Sequence, residues 1–252
     1  MISYEFPLNE RIRTMLRLED LFARFSHFSD KAEAHDHHAA LMVLFEIMEV
    51  ASRADLKSDL IQELERQKHS LEALRNNPQI AEDALDAVLG EIEDVSAKLL
   101  EMVGRIGQHL RENDWLMSIK QRTSIPGGAC EFDLPSYFYW QRQPVQTRHQ
   151  ALLGWMAPML PLKDGFDIVL RLLRDSGKTM NYTARQGMFQ QMSGGKVVQL
   201  IKVSLDEQYA CVPELSANKY AINIRFIHPV LTLDKPRQFD GDVNFQLTYC
   251  NL

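Results

Sequence analysis

Lys178-Thr179-Met180-Asn181-Tyr182-Thr183-Ala184 is where the chain changes its hydrophobic period. Met180, Tyr182 and Ala184 alternate with polar neighbours, the repeat of two that extended backbone imposes by turning successive side chains to opposite faces. Ser193-Gly194-Gly195 predicts a hairpin joining this run to a strand over 197–205. Further strands are read at 219–227 and 242–249, with Pro229, Pro236 and Gly241 in the connection.

Upstream the period is helical. A short extended segment over 4–8 ends at Pro7, and Asn9 is placed to cap a helix reaching about residue 27, with Ile12, Met15, Leu16, Leu18, Leu21, Phe22 and Phe25 on its apolar face. A second helix is read over 36–52, capped by Asp36 and carrying Leu41, Leu44, Phe45, Met48 and Ala51. Leu56, Leu60, Leu64, Leu71 and Leu74 mark a third over 55–75, which Asn76-Asn77-Pro78 breaks. Beyond the break Leu85, Val88, Ile92, Val95, Leu99, Met102 and Ile106 form a heptad seam, which needs a partner: the preceding helix or another copy of the chain. Gly104 and Gly107 loosen the pattern before a helix over 108–122 with Leu110, Trp115, Leu116 and Ile119. Ser124-Ile125-Pro126-Gly127-Gly128 then predicts a turn and a boundary, followed by helices over 145–156 and 163–176.

Helices first and strands after predict segregated α+β, not alternating α/β. The expected organisation is a mainly helical domain over 9–176, with long antiparallel helices (core 9–122, further helices 145–176), and a smaller antiparallel β-rich domain over 178–252. Strand 2–8 and segment 129–134 are available to complete the latter.

The composition fits a folded chain of 252 residues, 45% hydrophobic and 25% charged. A net charge of −6 argues against wholesale nucleic-acid binding. Residues 1–122 hold 15 basic and 23 acidic side chains and residues 123–252 hold 13 and 11, so the second half is the more basic. Cys130, Cys211 and Cys250 show no metal-like spacing and read as reduced thiols. The first nine residues carry Glu5 and no long apolar stretch, so no secretory signal is expected. The longest apolar run, 151–162, is interrupted by Gly154, Pro158 and Pro161 and falls short of the roughly 20 residues a membrane span requires.

Three constellations could carry chemistry. His35 and His38, in His35-Asp36-His37-His38, could share a helical face as a metal pair, although a helix start capped by Asp36, with exposed histidines, accounts for them better. A cysteine nucleophile would need His149 or His228 beside Cys130, Cys211 or Cys250, and no spacing supports that. These make a metal-dependent or thiol enzyme one alternative. The third set is basic: Arg53, Lys219, Arg225 and Arg237, with Lys178, Arg185, Lys196 and Lys202 also available. Guanidinium groups bind carboxylates through paired hydrogen bonds, and a nucleic-acid-binding module is the alternative use of the same cations. Gly127-Gly128 and Gly194-Gly195 are too short to cradle phosphates.

Arg105-Ile106-Gly107-Gln108, Leu110-Arg111-Glu112, the run Gln121-Arg122-Thr123-Ser124-Ile125-Pro126-Gly127-Gly128-Ala129-Cys130 and Phe132-Asp133-Leu134-Pro135 resemble the ZapD family. So do Tyr4-Glu5-Phe6-Pro7-Leu8-Asn9-Glu10, Arg13-Thr14, Glu63-Leu64, Arg66-Gln67, Trp140, Ser204-Leu205-Asp206 and Ile224-Arg225-Phe226. The resemblance implies a non-enzymatic, cofactor-free cytoplasmic factor at the mid-cell division ring. Such a factor would bind the C-terminal tail of FtsZ and bundle its filaments as a homodimer, without nucleic acid or membrane insertion. It also implies a helical dimerising domain and a basic pocket near the junction with a β-rich domain. Arg53, Lys219 and Arg225 match basic positions of that pocket, Ala221 and Asp242 stand where arginine occurs in some members, and Arg237 is available to compensate. Arg17, Trp115 and Phe138 lie in or beside segments matching the dimer contacts, where Asp114 and Phe138 depart from polar or basic residues found in some members.

Overall fold

In the computed structural model, which describes residues 1–52, 55–75, 77–78, 80–192, 198–218, 220–229 and 237–252, Asn9 caps the first helix. Its Oδ1 accepts a hydrogen bond from the Ile12 N–H at 2.8 Å, satisfying one of the donors a helix start leaves open. Helix α1 (Glu10–Ser29) buries Met15, Leu18, Phe22 and Phe25 on one face. Helix α2 (Ala34–Ala51) begins before the expected start, with Glu33 at the cap position, so Asp36 lies in the first turn and caps nothing.

Helices α3 (Leu56–Glu72) and α4 (Glu82–Glu101) form the antiparallel pair. Both ends of the pair fix that direction: Lys57 Nζ donates to the Met102 carbonyl at 2.7 Å, whereas Arg75 pairs with Asp86 at 2.8 Å. The α4 seam therefore finds its partner within the chain. It is also shorter than its periodicity promised, because Met102 leaves helical backbone (ψ 114) and Gly104 and Gly107 adopt φ of +78° and +71°. Leu89 is buried where Val88 was expected, and Ile106 lies beyond the helix.

The helix expected over 108–122 is divided into α5 (Gln108–Arg111) and α6 (Asp114–Thr123). Asn113 causes the division, since its Oδ1 accepts from the Leu116 N–H at 3.0 Å and starts a new helix. The turn at 124–128 is present but lies inside one compact unit, Thr14–Val169, so no unit boundary falls there. Residues 129–134 run in turns and join neither sheet, and Pro135 starts an unanticipated helix, α7 (Pro135–Gln141). Helix α8 (Val145–Met156), a 3₁₀ turn (Ala157–Met159) and α9 (Leu160–Asp175) follow.

The other unit comprises Met1–Arg13 and Leu170–Leu252. It contains β1 (Ile2–Pro7), β2 (Lys178–Ala184), β3 (Met188–Met192), β4 (Leu200–Leu205), β5 (Val212–Ala217), β6 (Ala221–Ile227) and β7 (Val243–Cys250). These strands make two antiparallel sheets, ordered β1-β4-β7-β2 and β3-β6-β5. Ile201, Val203, Phe245 and Leu247 of the first sheet form one core with Ile222, Ile224 and Phe226 of the second. The Phe226 and Phe245 rings lie 5.2 Å apart. The expected hairpin from the Lys178 run into 197–205 is not formed: β2 pairs with β7, β3 with β6, and β4 with β1 and β7. Residues 193–197 lie outside the described residues. Helices and strands are segregated, and the fold is α+β.

Candidate functional site

Strand β6 supplies the centre of the candidate surface. Its Ile222, Ile224 and Phe226 point into the sandwich, which by alternation sends Asn223 and Arg225 to the outer face. Arg225 stands opposite Met188 of β3 on one side and Glu214 of β5 on the other. The guanidinium donates from Nη2 and Nε to the same Glu214 oxygen, at 2.6 and 3.1 Å. Both partners are about half exposed, so the pair contributes at most about 1 kcal/mol and leaves the cation exchangeable. Met188 and Met192, 59% and 69% exposed, flank Gln190 along the same face. A cation beside polarisable, flexible apolar side chains suits a ligand with a carboxylate and apolar groups.

Arg237 does not share this face. Its carbonyl accepts from the His228 N–H at 2.9 Å, and the Ile227–Gln238 bridge fixes the register, so Arg237 sits at the alternate parity to Arg225 and is exposed there. Arg53, Lys219 and Lys196 lie outside the described residues. Arg185 binds Asp242 at 2.6 Å, and Asp242 also accepts from the Gln186 N–H at 2.9 Å. That backbone hydrogen bond and then the Arg185 charge hold the Asp242 carboxyl below the usual range. Glu214 and the two methionines were not read from the sequence. The signal for Glu214 was the overlooked strand β5, disguised by Pro213, which an edge strand tolerates.

In the Thr14–Val169 unit, Trp115 belongs to an aromatic cluster with Tyr137, Trp140 and Trp155, at ring distances of 6.2, 6.1 and 5.6 Å. Its indole N–H donates to Ser136 Oγ at 3.1 Å. Phe138 is half-buried beneath the Arg142 guanidinium at 4.8 Å, and Arg17 is exposed on α1. Phe132 and Tyr139 stand 81% and 68% exposed nearby in sequence.

Among the described residues no group of three or more His, Cys, Asp or Glu side chains could hold a metal. His38 is instead engaged through Nδ1 with the Tyr137 hydroxyl at 2.5 Å, and burial, reinforced by His35, lowers its pKa. Cys211 and Cys250 are buried thiols whose pKa burial raises, the opposite of what a nucleophile needs. Cys130 is exposed.

The fold and the surface define an α+β protein whose exposed sandwich face carries a half-exposed, exchangeable cation. The comparisons give the particular kind. The family model described as ZapD, cell division protein, matches residues 16–225. Cell division protein ZapD of Chromobacterium violaceum is 61% identical over 99% of both chains. Those of Dechloromonas aromatica and Azoarcus sp. are 58% and 54% identical, each covering 100% of both chains. The chain belongs to the ZapD family of cell division proteins, and its role is in division. No helix among the described residues is long and apolar enough to cross a membrane.

Proposed function

We propose that this protein is a cytoplasmic, non-enzymatic crosslinker of the division ring that binds the C-terminal tail of FtsZ and bundles FtsZ filaments as a homodimer. The observation that carries the reading is Arg225: a half-exposed guanidinium at the centre of an exposed sheet face, whose ion pair among the described residues is with an exposed carboxylate. Its unit, Met1–Arg13 with Leu170–Leu252, holds 12 basic and 9 acidic side chains, against 16 and 25 in Thr14–Val169, so the two units carry opposite net charge. An acidic tail is drawn to the first and repelled by the second. By the family resemblance Arg53 and Lys219 are the further cations of the proposed tail site; Arg237, at the alternate parity to Arg225, is left out of it.

The proposed dimer uses Arg17, Trp115 and Phe138 of the helical unit. Two equivalent tail sites per dimer let it engage neighbouring filaments at once, and the many tails on each filament turn a weak single contact into strong collective binding. Sedimentation of FtsZ polymers with the protein and with an Arg53→Glu, Arg225→Glu double variant tests the site. Loss of bundling is expected, and unchanged bundling would reject these residues. A purely monomeric protein at micromolar concentration, with or without FtsZ, would reject the crosslinker.

A further inference from the structure

Among the described residues, three of the four sheet edges carry residues that discourage further strand pairing. Strand β1 has Glu5 and Pro7, β2 has Lys178, and β5 has Pro213 and Glu214. The fourth edge, β3, reads Met188-Phe189-Gln190-Gln191-Met192, with no charge and no proline. Natural proteins guard exposed edges because a row of unpaired backbone groups is a template for another chain, so one unguarded edge among four calls for a reason.

The backbone phase of β3 can be read directly. Opposed residues in an antiparallel pair alternate between exchanging both backbone hydrogen bonds and exchanging none. The Phe226 N–H donates to the Gly187 carbonyl at 2.8 Å, and Met188 lies opposite Arg225, Gln190 opposite Asn223 and Met192 opposite Ala221. Gly187 and Phe226 are thus a bonded pair, and Met188, Gln190 and Met192 fall at the unbonded positions. Those three turn their N–H and C=O groups away from β6. The Met188 N–H is taken by the Arg185 carbonyl at 2.9 Å. The Met188 C=O, both groups of Gln190 and the Met192 N–H remain on the outer edge, where no described strand pairs. The same three residues present their side chains on the exposed face. The alternate residues anchor the strand: Phe189 meets Phe245 at 5.2 Å, and Gln191 Oε1 accepts from the Tyr249 hydroxyl at 2.6 Å. The edge is therefore a template held from behind.

We propose that β3 is a docking edge to which an extended acidic peptide adds as a further strand, making backbone hydrogen bonds to Gln190 and Met192. Its outward side chains lie over Met188 and Met192, and a carboxylate replaces Glu214 at Arg225. The excess of basic side chains in this unit selects an acidic occupant. The proposal rests on the tail-binding reading, which makes the FtsZ C-terminal tail that peptide, and adds the mode of capture.

The probe is a synthetic FtsZ C-terminal tail peptide, unmodified and N-methylated at one backbone amide at a time, titrated into the full-length protein while amide exchange is followed at Gln190 and Met192. Methylation at alternate peptide positions is expected to weaken binding about tenfold, the cost of one lost and unreplaced backbone hydrogen bond, with little effect between them. The Gln190 and Met192 amides should exchange more slowly in the complex. A Gln190→Pro variant should lose binding where Gln190→Ala keeps it. Should the proline variant fail to fold, the methylated peptides on the unaltered protein decide. Unmodified peptide that binds, with no alternation and no protection of those amides, would overturn edge docking and leave tail binding intact. Peptide that does not bind at all would overturn both.

Discussion

Arg148 donates its Nε–H to Nδ1 of His37 at 3.0 Å, both side chains being buried, while His37 Nε2 donates to the Lys31 carbonyl at 2.7 Å. This fixes a neutral imidazole as acceptor toward a guanidinium. Arg148 also donates to the carbonyls of Gln141, Gln143 and Ala32, tying α8 to two turns of the helical unit. Burial, and then the Arg148 charge, lower the His37 pKa, with the Lys31 carbonyl opposing them. The unfolded chain therefore takes up a proton more readily than the folded one below about pH 6.5, the ordinary histidine value. The His37 contribution is complete above that pH and is lost as pH falls toward the lowered folded value. Denaturant midpoints should decline through this interval, and a His37→Gln variant should show a shallower decline. Arg148→Met should cost about 3 kcal/mol, because it strands several buried acceptors.

Glu214 and the incoming carboxylate compete for one guanidinium in the proposed site. Glu214→Gln should therefore raise affinity for the FtsZ tail peptide severalfold while changing stability by no more than about 1 kcal/mol, since the pair is exposed. Calorimetric titration at two salt concentrations checks it, and the gain should shrink as salt rises.

Two glycines should respond in opposite directions to alanine. A Cβ at Gly128 would stand 2.3 Å from the Arg122 carbonyl oxygen, so Gly128→Ala must displace backbone and should destabilise by about 1–3 kcal/mol. A Cβ at Gly154, within α8, would meet nothing within 4 Å, and Gly154→Ala should stabilise by about 0.5–1 kcal/mol. Thermal unfolding of both variants provides the contrast.

The cysteines should separate by reactivity. Cys130 is exposed, whereas Cys211 and Cys250 are buried with thiols shifted toward the protonated form. A thiol reagent should titrate one group rapidly in the native protein and three in denaturant. Rapid modification of all three without denaturant would contradict the packing of the sandwich core.

Removing the ring at the centre of that core should be the costliest of these changes. Phe226 is fully buried and touches Phe245, so Phe226→Ala should destabilise by about 3–5 kcal/mol in denaturant titration.

Helix existence was legible wherever the apolar period of three and four ran long, as along Met15 to Phe25 and Leu85 to Leu99. Helix ends were less so. Asn113 acts as a cap only because the backbone turns there, and the Leu110 and Leu116 spacing on either side reads as one helix. Strand β5 was hidden by Pro213, whose acceptability depends on the strand having a free edge. Arg225 was singled out as one cation among several. Its exposure, its Glu214 partner and its separation from the Arg237 face follow from register, which links residues distant in sequence.

Local patterning was enough to determine the segregated α+β class and the positions of most helices, because period and capping act between residues a few positions apart, and the resemblance to ZapD rests on residue motifs along the chain. Only the tertiary structure decided which strands pair, that α3 is the partner of α4, and that β3 is left with its backbone groups facing out. Those outcomes depend on contacts between residues far apart along the chain, where each strand has several chemically acceptable neighbours and the shared core selects among them.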